Sequence, residues 1–146
     1  MEAHKFTVVA TDHQFPTAEP EKRFLEPLGA KVEFHQCRTE DEVIEVAKDA
    51  DALVNNAVPI TRRVVSELDR ARVIVRTGVG FDNVDVEAAT EKGIMVVNVP
   101  RYGREEVADH AIALLLSMIR KVPQYDKLVR EGAWDKHRTL WPIPCL

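Results

Sequence analysis

Two periods of apolar and polar residues alternate along the first hundred positions. The runs KFTVVAT (5–11), KVEFHQ (31–36), DALVNN (51–56), RVIVRT (72–77) and IMVVNV (94–99) are short, rich in β-branched residues and bounded by turn formers. Such runs predict strands. Between them, apolar residues recur at helical spacing. Residues 18–30 predict a short helix ending near Gly29. Residues 39–50 open with Thr39 and Glu42 as a capping box and carry Val43, Ile44, Val46 and Ala47 on one face. Thr61 opens a third helix over 61–71. Asp85 and Gly93 bracket a fourth over 85–93.

Strands of nearly continuous apolar character are expected to be buried on both faces, and their alternation with helices predicts parallel pairing through right-handed crossovers. The fold class that follows is α/β: a flavodoxin-like, five-stranded parallel sheet of order 2-1-3-4-5 with helices on both faces. The partial alternation of the second strand suits an edge. Ligands of such sheets gather beyond the carboxyl ends of the strands, where the order reverses between strands 1 and 3. TDHQFP, NNAVPI and TGVGFDN are thereby expected around one crevice.

After Pro100 the pattern changes. REEVADHAIALLLSMIRK (104–121) predicts a long helix, with Glu105 and Glu106 at its positive end and Arg120 and Lys121 at its negative end. Its apolar residues wrap most of the circumference, so cover is expected on most sides. PQYDKLVREGAWD (123–135) predicts a second, amphipathic helix, and the proline-containing tail KHRTLWPIPCL an extended segment.

Composition narrows the classes. The chain has 146 residues, 45% hydrophobic and 30% charged, with a net charge of -4. No lysine or arginine run is present, which argues against nucleic-acid binding. Cys37 and Cys145 form no C-x-x-C and read as reduced thiols. The longest apolar run, AIALLL, falls far below the ~18 residues of a membrane span. A soluble, cytoplasmic protein without a signal peptide is expected. The five histidines show neither ligand nor dyad spacing, so no metal site is expected, and His110 reads as a helix-surface or packed imidazole.

The stretch RTGVGFDNVD, Arg76 to Asp85, carries the candidate chemistry. Gly78 and Gly80 give a G-x-G at a strand-to-helix turn, but position 83 is Asn, so the third glycine of a dinucleotide fingerprint is missing. Taken alone, the pair reads as a tight turn where glycine relieves strain, and equally as a loop whose amides can face an anion. Asp82 and Asn83 are expected to fix the turn and cap the following helix.

The longer text RTGVGFDNVDVEAATEKGIMVVNVPRYGREEVADHAIALLLSMIRK, Arg76 to Lys121, closely resembles the D-isomer-specific 2-hydroxyacid dehydrogenases. That family includes phosphoglycerate dehydrogenase, glyoxylate and hydroxypyruvate reductases and the C-terminal-binding proteins. RTGVGFDN, NVP and EEVADH look most like the last branch. The resemblance extends from the first strand to GAWD and the final residues. It implies a substrate domain over residues 1–100, followed over 101–146 by interdomain helices and the start of a nucleotide-binding domain. By position, Val79 and Gly80 would offer amides to a substrate carboxylate. Arg76 would reach that carboxylate with a charge-assisted bond, and Gly78 completes the substrate-binding set. Val79 and Val107 would lie against an NAD or NADP cofactor. A small 2-hydroxy or 2-oxo acid is the implied ligand, and a homodimer through 104–134 the implied assembly.

No G-x-G-x-x-G occurs in the chain, and the family's catalytic Arg, Glu and His match no residue in it. The expectation is therefore the substrate-binding part of a dehydrogenase, truncated, with no catalytic residue present, inactive alone and without tight cofactor binding. The alternative is a non-enzymatic interaction or scaffold domain of the C-terminal-binding-protein type. A receiver domain is disfavoured because Asn55 and Asn56 stand where a phospho-acceptor Asp is expected and no Lys follows strand 5. A flavodoxin proper is disfavoured because TDHQFPT lacks a hydroxyl- and glycine-rich phosphate loop.

Overall fold

The computed structural model describes residues 5–15, 17 and 19–140. Strands β1 (Phe6–Ala10), β2 (Ala30–Phe34), β3 (Ala52–Asn55), β4 (Val73–Arg76) and β5 (Met95–Val97) form one sheet in the order β2-β1-β3-β4-β5. Every pairing is parallel. Val8 is the partner of both Val32 and Ala52, and Ile74 of both Leu53 and Val96. The order reverses between β1 and β3, as the hydrophobic pattern implied.

The connecting helices are α1 (Glu19–Leu25), α2 (Glu40–Ala47), α3 (Arg62–Ser66) and α4 (Val86–Glu91). Their starts follow local chemistry. Thr39 accepts from Glu42 N, Thr61 from Val64 N and Asp85 from Ala88 N, at 3.3, 3.5 and 2.8 Å. Each bond satisfies an amide the helix itself cannot. The Thr39 box is modified: Glu42 reaches back to Arg38 N at 2.6 Å, one residue before the cap. Gly29 and Gly93 close α1 with its following 3-10 turn, and α4, in left-handed conformations, with φ of 91° and 74°.

Helix α3 is shorter than the 61–71 expected. Past Ser66 only Leu68 and Ala71 are apolar; Leu68 is buried and Ala71 packs part-buried against the core. The chain turns there, with Glu67 N and Leu68 N bonding back to Val64 and Val65 carbonyls. Lys92 Nζ takes the Val65 and Ser66 carbonyls at 3.0 and 2.6 Å.

The core lies on one side of the sheet. Val9, Leu53 and Ile74 alternate onto it and meet Val43, Ala47, Val64, Val65, Ala88 and Ala89 of α2, α3 and α4. Right-handed crossovers put α1 on the opposite face. There the expectation of full burial fails. Ala52, Val54, Val73 and Val75 are only half-buried, and Met95 and Val97 are exposed. Helix α1 has seven residues, none of them buried, and packs at the β2 edge, too short to cover the far strands.

The chain divides into two compact units, Met1–Tyr102 and Gly103–Leu146. The second contains α5 (Arg104–Ile119), α6 (Val122–Arg130) and a 3-10 helix over Trp134–Leu140. No residue of α5 is buried within the single chain. Residues 136–140, expected to be extended, are helical instead. His137 stacks on Trp134 with ring centroids 5.3 Å apart, and Lys136 N and Thr139 Oγ1 bond back to the carbonyls of Ala133 and Lys136. The rest of the tail lies outside the described residues, Cys145 included. Cys37 is free and buried, and no helix among the described residues is long and apolar enough to cross a membrane.

Candidate functional site

At the carboxyl ends of β1, β3 and β4, polar side chains interlock. Asp12, the first charged residue after β1, is buried. Its Oδ1 accepts from Asn56 N at 3.0 Å, and its Oδ2 from Ala57 N and Val58 N at 2.6 and 3.1 Å. Thr11 Oγ1 and Asn55 Nδ2 also donate to Oδ1, at 3.0 and 3.2 Å. Asn55, buried at the end of β3, bonds the Val58 carbonyl with Nδ2 at 2.9 Å and accepts from Asn83 Nδ2 at 2.7 Å. A buried carboxylate is tolerable only with such a full set of donors. The effect is mechanical: the loops after β1, β3 and β4 are fastened together by their own side chains.

Asn83 therefore does not cap α4; Asp85 does. Asn83 ties the 78–83 loop to the 55–58 loop, and its carbonyl accepts from Ile60 N at 2.8 Å. Asp82 is exposed, and its Oδ1 would lie 3.0 Å from a β-carbon at Gly80.

The glycine turn leaves β4 at Arg76. Thr77 N bonds the Asn55 carbonyl at 2.8 Å, and the Thr77 hydroxyl reaches the same oxygen at 3.2 Å. The carbonyl of Gly78 accepts from Val99 N at 2.9 Å and that of Val79 from Asn98 Nδ2 at 2.7 Å. In a trans peptide the N–H points opposite to the C=O. Fixing these two carbonyls therefore turns the amides of Val79 and Gly80 away from the 98–99 segment. Among the described residues no protein acceptor meets either amide.

Arg76 lies over the turn. A β-carbon at Gly78 would fall 1.4 Å from its Nη1 and 2.6 Å from its Cζ, so the guanidinium occupies the space the missing side chain leaves. Arg76 Nε is buried without a partner. The structure thus brings Arg76, Gly78, Val79 and Gly80 together. Val107, the remaining sequence candidate, lies in the first turn of α5 in the other unit and is 69% exposed.

A cavity of about 250 Å³ opens beside the turn, with Thr77 and Val99 in its wall. His13 also lines it, its ring stacked on Phe34 at 3.7 Å between centroids. Among the described residues no three His, Cys, Asp or Glu side chains gather as a metal site.

A family model for the catalytic domain of D-isomer specific 2-hydroxyacid dehydrogenases matches residues 8–136. The chain belongs to that family. Dehydrogenases with which it aligns include the D-3-phosphoglycerate dehydrogenase of Methanocaldococcus jannaschii, 41% identical over 90% of this chain and 24% of the relative. The glyoxylate reductase of Pyrococcus furiosus is 41% identical over 69% of this chain and 30% of the relative. Among solved structures, the NAD+-bound 3-phosphoglycerate dehydrogenase of Entamoeba histolytica superposes with a TM-score of 0.68 at 28% identity, covering 80% of this chain and 40% of that one. The chain thus spans about a quarter of the length of the first curated dehydrogenases it matches.

The sequence placed the segments of Asp12 and Asn55 at the crevice and marked Asn98 and Val99 within NVP, but assigned none of the four a role in holding the turn. Asp12 and Asn55 carried a signal, since both are polar residues at the ends of apolar strands. Asn98 and Val99 stood out only as part of the NVP motif, which does not reveal that their partners are carbonyls some twenty positions away.

Proposed function

We propose that the first unit is the substrate domain of an NAD(P)-dependent D-2-hydroxyacid dehydrogenase and that its 76–80 turn receives the carboxylate of a small 2-hydroxy or 2-oxo acid. One observation carries the reading: the Gly78 and Val79 carbonyls are held from behind, which leaves the Val79 and Gly80 amides open to an anion. Amides held in this way do not reorganise when the ligand arrives. Arg76 supplies the positive charge, and Gly78 the space in which its guanidinium lies.

The same turn does not fit the phosphates of a dinucleotide. Helix α4 begins only at Val86, the Asp85 carboxylate already caps it at Ala88 N, and Asp82 stands beside Gly80. No other G-x-G occurs in the sequence. The cofactor's phosphate cradle is therefore assigned to no residue of this chain. On this reading Val79 and Val107, each exposed in its own unit, are left available to a cofactor, 101–146 supplies the interdomain helices, and the chain by itself transfers no hydride. The exposed apolar residues of α5 support pairing of two chains through 104–134.

The test is a titration of isotope-labelled chain with glyoxylate, followed by NMR. Shifts centred on Arg76, Gly78, Val79 and Gly80 are expected, with a Kd of roughly millimolar because only half of the site is present. Shifts centred elsewhere overturn the assignment. A parallel assay with NADH and glyoxylate should give no turnover above a blank.

A further inference from the structure

We propose that the cavity beside the turn holds the side chain of the 2-oxo or 2-hydroxy acid and selects an apolar one, rejecting side chains that end in a phosphate or a second carboxylate. The inference rests on the 76–80 turn being the carboxylate site and says what that site discriminates.

Three observations carry it. The first is position: Thr77 and Val99, which line the cavity, flank the turn in sequence and by the Val99 N to Gly78 O bond. The cavity adjoins the turn through Thr77, although Arg76, Gly78, Val79 and Gly80 are not themselves in its wall. The second is size and surface. About 250 Å³ corresponds to roughly eight waters at ~30 Å³ each, room for a side chain of several carbons. Ala10, Val54, Phe34, Phe15 and Tyr102 supply a wall that is mostly hydrocarbon.

The third is charge. No lysine or arginine lines the cavity, and the residues outside the described set include neither type. The charged groups that do line it are the carboxyls of Asp12 and Glu21. Asp12 is occupied by the amides of the 56–58 loop. Glu21 Oε2 is buried with no hydrogen-bond partner, so an anionic chain end would meet a further acceptor, and the donors in the wall, from Gln14, Asn56, Thr77, Tyr102 and His13, include no lysine or arginine to balance its charge. A mostly apolar wall beside two carboxyls disfavours an anion twice, through desolvation and through repulsion. The substrate named for the Methanocaldococcus relative, a phosphorylated acid, therefore does not suit this chain.

The experiment is an NMR titration of the whole chain with glyoxylate, 4-methyl-2-oxopentanoate, 2-oxoglutarate and D-3-phosphoglycerate. The branched acid should bind about tenfold or more tighter than glyoxylate, the scale on which a hydrophobic pocket reads added carbons. It should shift Phe15, Phe34 and Tyr102 as well as the turn. 2-Oxoglutarate, of similar length but with an anionic end, should bind no tighter than glyoxylate, as should D-3-phosphoglycerate. Glu21→Lys on helix α1, checked for native spectral dispersion, should raise affinity for 2-oxoglutarate several-fold more than for glyoxylate.

Binding of either anionic acid to the wild type as tight as that of the branched acid, or tighter, overturns the inference. So does a branched acid that binds no better than glyoxylate or moves only residues 76–80, although the carboxylate assignment then stands. If the branched acid moves the cavity residues while no acid moves the turn, the carboxylate assignment fails and takes this inference with it.

Discussion

Replacing Gly78 by alanine separates the turn's shape from its chemistry. The φ of Gly78 is not in the left-handed region, so the backbone accepts alanine without strain. The new methyl, however, would lie 1.4 Å from Arg76 Nη1. The guanidinium must swing away by about 2 Å to restore ordinary contact. Only the end of a flexible side chain moves, so the folding cost is small. It is partly offset by the ~0.4–1 kcal/mol that alanine gains over glycine by restricting the unfolded chain. The net change should stay within about 1 kcal/mol, which for a chain of this size is a Tm shift of no more than ~4 °C.

Binding should respond differently. A hydrogen bond to a charged group contributes ~1.5–3 kcal/mol, and at a partly exposed site the lower end applies, about tenfold in Kd. Gly78→Ala should therefore weaken glyoxylate about tenfold at nearly unchanged Tm, and Arg76→Ala should do the same. The double variant should lose no more than either single one, since both remove a single interaction. The assays are thermal melts by circular dichroism and chemical-shift titration. The reasoning is refuted if Gly78→Ala binds glyoxylate within twofold of the wild type while Arg76→Ala weakens it tenfold, because the guanidinium then acts from another place.

Three further outcomes are expected. Asp12→Ala strands the donors of the 55–58 loop and should cost roughly 3–5 kcal/mol in urea unfolding; a loss below ~1 kcal/mol would mean water replaces the carboxylate without consequence. Asp51 has its carboxyl held below the usual range, first by the Thr7 amide at 2.8 Å and then by Arg70 at 2.7 Å, so its stabilisation is present above the ordinary Asp pKa and is lost as pH falls through the lower folded value. Asp51→Asn should accordingly flatten the acid limb of a stability-versus-pH curve, and an unchanged limb would remove Asp51 from the account. Leu115→Glu with Ile119→Glu should abolish self-association measured by light scattering over a dilution series, whereas Lys127→Glu with Arg130→Glu, on the ion-paired surface of α6, should not; a wild type that stays monomeric at high concentration overturns pairing through α5.

The sheet and its order were legible in the sequence because each strand declares itself over a few residues. Apolar β-branched runs, alternation with capped helices and the handedness of crossovers leave little freedom, and Thr39, Thr61 and Asp85 act on amides three residues away. The glycine turn was legible for the same local reason. Tertiary structure decided what surrounds it. That Asn98 and Val99 hold the Gly78 and Val79 carbonyls, that Asn83 serves Asn55 and not α4, and that Asp12 gathers the amides of another loop are contacts across 19 to 46 positions. No local pattern encodes which distant carbonyl or amide a polar side chain will meet. Burial was decided in the same way. Met95 and Val97 read as core from their apolar character, yet they lie exposed, because burial depends on whether another element arrives to cover them.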